Sequence, residues 1–417
     1  MVAAIGAAAL FGFRGGGGGG AGTAALTDGP PARGQAGKPA QSLAALPDGN
    51  WAWAFAFDPR RPNVVYVASP HARGAFVYKT TDDGQHWHST GARGTGWTSD
   101  ILTLTADPRH AGTLYAGTDT AVYKTVDGGR SWQPFNRGLF SLTGCRNYRP
   151  VGAKPYCVNL GTPGTTSWNR NNGWVLDVSV DPIERNVVYA AAGAVRKSID
   201  GGHTWKRVFQ PSDGEVSRIA IAPTRPESIY AVAHDLRNGD TAIYKSTDAG
   251  RTWQATGGVG SLNHPPYCCA DGIDAFAVDP QNPQKLYAAV AGTVLATTDG
   301  GATWQPTANG LPANGATSLA ADPRHAGTVY ASVEISHTSK TKAGDVEKPT
   351  GAIYKTTDGG QTWSEVFSGF GIEKIAVDPT RPSTVFAAGW AGRDPTHPNA
   401  FRLLRTTDGG HTWVTAR

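Results

Sequence analysis

From Trp51 onward the chain alternates short apolar runs with polar turns, on one schedule that repeats seven times. The first repeat opens with "WAWAFAF" (51–57), a strict large–small alternation with the period of a strand. It continues through "DPRRP" to "NVVYVA", then "AFVYKT", then "TTDDGQHW". This predicts four strands per repeat: one before the Asp-Pro, one ending on the aromatic, a third at "AFVYKT", and a fourth starting at the Trp. The closing octapeptide, called the box below, returns as "TVDGGRSW", "SIDGGHTW", "STDAGRTW", "TTDGGATW", "TTDGGQTW" and "TTDGGHTW". The period is about 52 residues, close to that of a propeller blade. Seven groups of four antiparallel strands predict an all-β, seven-bladed β-propeller.

The box joins strands 3 and 4. Its carboxylates are Asp82, Asp127, Asp200, Asp248, Asp299, Asp358 and Asp408. An Asp beside glycines can hold calcium or a phosphate. Seven near-identical copies argue for scaffolding instead, because a reactive site needs different residues converging on one point. Each Asp is expected to accept bonds from its own turn. The Gly two residues later supplies a positive φ, and the Trp buries its ring between strands. No metal and no cofactor is expected.

Loop lengths separate two faces. From the Asp-Pro position to the strand 2 aromatic the step is 8 in every repeat, and from the end of strand 3 to the box Trp it is 9. The 2→3 connection runs from 7 to 24, and the path from the box Trp to the next Asp-Pro position from 15 to 49. In an up-and-down blade the constant turns share one face and the variable connections the other. Loops free to vary on a rigid scaffold are where binding concentrates. Trp97, Trp168 and Trp390 fall on the variable side and suit stacking on a sugar ring or gripping a partner. Four residues before the Asp-Pro position, facing the central channel, stand Asp177, Arg218 and Lys374. Asp274, Glu373, Asp100 and Glu215 follow toward the variable face. Paired carboxylates there would serve glycoside hydrolysis; a solvated, salt-bridged rim is the alternative.

The pattern [ST]-x-D-x-G-x-[ST]-W resembles the Asp-box, or BNR, repeat, and the resemblance covers Trp51–Arg417. The first copy departs from it, with His86 at the second hydroxyl position. Propellers of this kind include sialidases, xyloglucanase-type glycosidases, sortilin-like receptors and photosystem II assembly factors. The rhythm "DP…VVYAA…VYKTTDGGQTW" is most similar to the xyloglucanase and photosystem-factor branch. A sialidase is disfavoured, because its Arg-Ile-Pro signature is missing and Arg218 is the one arginine in the inner-strand row. The xyloglucanase resemblance implies catalytic Asp residues: "LDVSVDP" nominates Asp177, and "TDTAVYK" nominates Asp119. Those enzymes draw one Asp from each of two propellers, whereas the repeats here make one. The expectation is an exported, non-catalytic propeller that binds a glycan or protein on its variable face. Arg218, Lys374, Trp97, Trp168 and Trp390 would contact that ligand. The alternative is a glycoside hydrolase using Asp177 with Asp119 or Asp274.

Composition changes this picture little. The 417 residues include 54 Gly and 28 Pro, as a turn-rich ordered chain requires. A net charge of +5 without a Lys/Arg stripe disfavours nucleic acid, and a monomer is expected. Residues 1–49 read as an apolar segment and a Gly-rich linker, and 50–417 as the propeller. The run Val2–Phe13 is too short to span a bilayer and resembles the core of a secretion signal, without basic residues before it. Ser42–Leu46 ("SLAAL") is a candidate extra strand closing the ring. Cys145 and Cys157 suit a loop disulfide, Cys268 and Cys269 are adjacent, and four cysteines allow three pairings.

Overall fold

The computed structural model describes residues 43–47, 52–69, 76–90, 101–118, 120–140, 145–148, 156–159, 174–212, 214–235, 241–257, 275–290, 293–307, 309–312, 316–336, 350–391 and 401–416. Seven four-stranded antiparallel sheets follow one another along the chain as blades 1 to 7, over 54–89, 101–134, 177–209, 214–255, 275–306, 316–368 and 371–415. In each, the strands pair in sequence order, so no blade borrows a strand from another. The all-β, seven-bladed propeller read from the repeats is the observed fold. Among the described residues no helix is long and apolar enough to cross a membrane.

Two strand boundaries differ from the sequence expectation. Strand 2 starts one residue before its aromatic rather than ending on it, as in Val65–Ser69 and Leu114–Thr118. Strand 4 begins after the box Trp and is only two residues long in blades 1, 2, 4, 5 and 7. In blades 3 and 6 the Trp explains the late start. The backbone N–H of Trp205 donates to Arg137 (2.8 Å), and that of Trp363 to Asn309 (2.9 Å), both in chain leaving the preceding blade. Pro134 and Pro306 sit in such outer strands, where an edge needs no donor.

The core lies between blades. One apolar cluster joins Tyr287, Ala289 and Val294 of blade 5 to Val329, Ala331 and Trp363 of blade 6. The box Trp ring therefore packs across a seam, not merely between strands of its own sheet. Trp205 Nε1 also donates to Phe135 of the preceding blade at 2.8 Å. The strand 2 aromatics Tyr66, Tyr115, Tyr189, Tyr230, Tyr287, Tyr330 and Phe386 are almost fully buried. Their neighbours are mostly Ala and Val, which lets adjacent sheets approach.

The constant turn lengths have a physical cause. In every blade the residue after the box Asp donates its N–H to the 1→2 turn, as in Gly201 to Asn186 (2.8 Å) and Gly359 to Gly327 (2.9 Å). Changing either turn length would break this staple. The carbonyl of that same box residue is used as well. At three seams it accepts from the preceding blade's Tyr and Lys: Tyr115 and Lys124 onto Gly201 (3.1 and 2.9 Å), Tyr189 and Lys197 onto Ala249 (2.9 and 2.8 Å), and Tyr330 and Lys355 onto Gly409 (3.0 and 2.8 Å).

The seam from blade 7 to blade 1 uses different residues. Phe386 and Arg405 replace the Tyr and Lys, and buried Arg405 donates to the Asp83 carbonyl. Asp83 stands where most boxes have Gly, at φ 59°. Its carboxylate pairs with Arg381 of blade 7 at 2.5 and 2.8 Å. Leu43 and Leu46 are buried in this seam against Phe57, Trp87, Phe386 and Leu403. Ala44 donates to Gly84 (2.8 Å) and accepts from Trp87 Nε1 (3.2 Å). No strand is assigned over 43–46. These residues pack as a side-chain wedge rather than an added strand, and they lie outside the 50–417 span read as the propeller.

Candidate functional site

The site region is the channel mouth on the variable face. Inner strands reach it in irregular fashion. Register shifts follow Ile101, Val216, Ala316 and Ile372 on the inner strands of blades 2, 4, 6 and 7. Bulges of this kind re-aim side chains near the end of a strand. Ser217, Thr317 and Glu373 are the extra residues in blades 4, 6 and 7.

Asp177 begins the inner strand of blade 3. Its carboxylate accepts from the Val178 N–H (2.8 Å), from the Ile219 N–H of blade 4 (3.0 Å), and from Thr103 Oγ1 of blade 2 (3.4 Å). Three blades meet on one side chain. Burial raises its pKa; the Ile219 N–H, the Arg218 charge, the Val178 N–H and Thr103 offset only part of that effect. Arg218 is thus electrostatically coupled to Asp177. Lys374 sits elsewhere, with its Nζ 5.2 Å from the centre of the Trp53 ring, a cation–π contact. Trp390 ends strand 2 of blade 7, half-buried and opposite Gly371.

Three glutamates rim the mouth. Burial pushes Glu215 up to about 7 and does the same to Glu334. Burial also raises Glu373; Lys374 opposes this and the Glu334 charge adds to it. The Glu334 charge thus reaches Glu373 across the seam of blades 6 and 7. Beside Glu215, His234 Nε2 lies 2.8 Å from Ser217 Oγ, and its Nδ1 lies 3.0 Å from Thr241 Oγ1. Glu334 was missed by aligning the inner strands alone. It stands four residues after Tyr330, just as Asp119 stands four after Tyr115, so aligning strand 2 on its aromatic finds it.

Asp119, Asp274, Asp100, Trp97, Trp168, Cys268 and Cys269 lie outside the described residues. Cys145 and Cys157 lie on a paired hairpin, Cys145–Tyr148 with Tyr156–Asn159. Its register sets Cys145 opposite Asn159 and Cys157 opposite Asn147.

The box carboxylates are spent internally. Asp200 accepts from Ser198 Oγ (2.7 Å), the Thr204 N–H (2.8 Å) and Thr204 Oγ1 (2.6 Å). Burial alone would raise its pKa, but the Thr204 hydroxyl and N–H and the Ser198 hydroxyl hold it at about 2. In the first copy, Nδ1 of His86 takes the second hydroxyl's place, 2.6 Å from Asp82. The Gly two residues after each Asp has the positive φ expected, as at Gly360 (92°). Among the described residues, no three His, Cys, Asp or Glu side chains gather as metal ligands.

No family model matches the chain. A xyloglucanase from Paenibacillus is 26% identical over 357 residues, covering 72% of this chain and 30% of that enzyme. The chain thus spans less than a third of the relative's length. Among solved structures, the GH74 enzyme of Niastella koreensis aligns over 90% of this chain and 68% of its own, with a TM-score of 0.51 and 17% identity. YCF48 from Cyanidioschyzon merolae aligns over 88% of this chain and 98% of its own, with a TM-score of 0.53 and 14% identity. The two structural matches are likenesses of fold.

Proposed function

We propose that this chain is a non-catalytic binding propeller that holds a glycan or a protein segment on its variable-loop face and works outside the cytoplasm. The observation that carries the reading is the stapling of the opposite turns. In all seven blades the constant turns are bonded to each other, so length is free to change only on the variable face. The state of Asp177 supports the non-catalytic part. A carboxylate that accepts one backbone N–H from its own strand and one from the inner strand of the next blade acts as a structural tie, with its oxygens already engaged. The xyloglucanase likeness favours a β-glucan-type polysaccharide as first ligand to test. Arg218, Lys374 and Trp390 would contact it from the described residues, with Trp97 and Trp168 as further platforms.

A glycoside hydrolase is the second reading, favoured by the same likeness and by the raised carboxyl groups of Glu334 and Glu373. On that reading Asp177, with Asp119 or Asp274, would be the other acid candidates. Titrating xyloglucan oligosaccharides by calorimetry, with a reducing-end assay on the same samples, separates the two. The binding reading expects saturable heat without new reducing ends. It also expects roughly tenfold weaker binding for Trp390→Ala and unchanged behaviour for Asp177→Asn beyond modest destabilisation. Release of reducing ends that Asp177→Asn abolishes while binding persists would establish the hydrolase instead.

A further inference from the structure

The constant-turn face carries a feature that the binding reading leaves unused. Every 1→2 turn except that of blade 4, which has Ala222, is folded around its own buried Asp. Asp58 accepts from the N–H groups of Arg60 (3.1 Å) and Arg61 (3.0 Å); Asp107 from Arg109 (2.9 Å); Asp181 from Ile183 and Glu184 (2.8 Å each). The turn residues beyond the Asp are largely exposed on the constant-turn face. In blades 1 and 2 the tips of these turns are cationic, and in blade 3 Arg185 stands next to Glu184. Arg60, Arg109, His110, Ala111 and Arg185 together line an open cleft of about 420 Å³. Arg60 Nε donates to the Arg109 carbonyl at 3.2 Å, so adjacent turns hold the cleft's shape.

The cleft gathers positive charge with little to neutralise it. No carboxylate lines it. The buried acids beneath are already engaged: Asp58 by Arg61 (2.5 Å) and by the Gly112 N–H (2.9 Å), and Asp107 by His110 Nδ1 (3.0 Å). Glu184, the nearest acid in sequence, is exposed and outside the lining. Among the described residues the guanidinium groups of Arg109 and Arg185 take part in no ion pair or side-chain hydrogen bond. Blade 6 repeats the blade 2 tip as Arg324–His325, but its neighbours are the uncharged Gln281–Asn282 of blade 5 and, in blade 7, Arg381, which is paired with Asp83 and Asp378, so only blades 1 to 3 bring several tip arginines into one cleft.

We propose that this cleft is a binding site for a small phosphate or sulfate ester. Like charges held together by their turns repel, and an oxyanion relieves that repulsion. Planar guanidinium groups match its oxygens in pairs. The volume leaves room for the organic part of an ester beside the anionic group. This ligand is distinct in chemistry and position from the one proposed for the variable face, so either site can fail without the other.

The test is calorimetric titration of the full chain with pyrophosphate and, separately, with inorganic sulfate at low ionic strength. One saturable site is expected, weakening as salt is added. Arg109→Gln and Arg185→Gln should each weaken binding at least roughly tenfold, the loss of one charge-assisted pair. Arg324→Gln, on the blade 6 turn, should bind as the parent does. All three positions are surface-reaching, and an unchanged thermal transition confirms the fold of each variant. Preference for pyrophosphate identifies a phosphate site, and preference for sulfate a sulfate-ester site. The proposal is overturned if neither anion gives saturable heat, or if Arg109→Gln and Arg185→Gln bind like the parent.

Discussion

Carboxyl groups on the two faces of this disc behave in opposite ways. On the constant-turn face Asp82, Asp127 and Asp200 are held at about 2 by hydroxyl and N–H donors of their own turns, which outweigh burial. At the variable-face mouth burial pushes Glu215 and Glu334 to about 7. The first group is surrounded by donors and ties the fold together. The second is raised by burial, which costs stability when the group is charged.

The largest expected effect comes from breaking the constant-turn face at the ionic seam between blades 7 and 1. Asp83→Asn keeps a residue tolerant of positive φ but removes the charge facing Arg381. Denaturant unfolding should show a loss of about 2–3 kcal/mol, as for other largely buried pairs stripped of one partner. A loss indistinguishable from zero would mean that the seam is held by Leu43 and Leu46 instead.

The two faces should also separate by pH. The box carboxylates have folded values below the ordinary 3.8, so their stabilisation is present above that value and fades as pH falls toward 2. Glu215 and Glu334 have folded values above the ordinary 4.5. The folded state then binds more protons than the unfolded one, and stability should decline as pH rises from 4.5 to 7. The profile should peak between these limbs. Glu334→Gln should flatten the upper limb and leave the lower one alone; a variant profile parallel to the parent's throughout would break the contrast.

The smallest effect sharpens the comparison from the box side. Asp200→Ala should lower the melting temperature by a few degrees, and EDTA should leave the parent's transition where it was. A chelator-induced drop would return the boxes to the calcium reading.

Periodicity made the architecture legible because each blade repeats its turns at fixed spacing. What it could not show were contacts between blades. The late start of strand 4 depends, in blades 3 and 6, on the Trp N–H bonding to the preceding blade's chain, a partner invisible within one repeat. Asp83 occupies a position that the box pattern leaves open, yet it closes the ring. At the mouth, alignment on the Asp-Pro position correctly put Asp177, Arg218 and Lys374 on inner strands. The extra residue after Val216 and Ile372 precedes Arg218 and Lys374, and no hydropathy pattern marks it. Sequence spacing therefore placed these side chains without predicting their partners, Trp53 for Lys374 among them.

Because every blade is a single uninterrupted stretch of chain, the repeat is also a unit of inheritance. Copying one such stretch in the gene would deliver a complete sheet, and a copy of blade 2, 3 or 6 would bring the Tyr and Lys that reach the next box carbonyl. Tandem duplication or loss could thus change the blade number without rethreading any strand. The boundary between blades 7 and 1 is the exception. Arg381, Arg405 and Asp83 recognise each other, so a blade copied from either side of that boundary would carry a mismatched edge, and recombination is expected to be tolerated best at the seams after blades 2, 3 and 6, which share one Tyr and Lys contact.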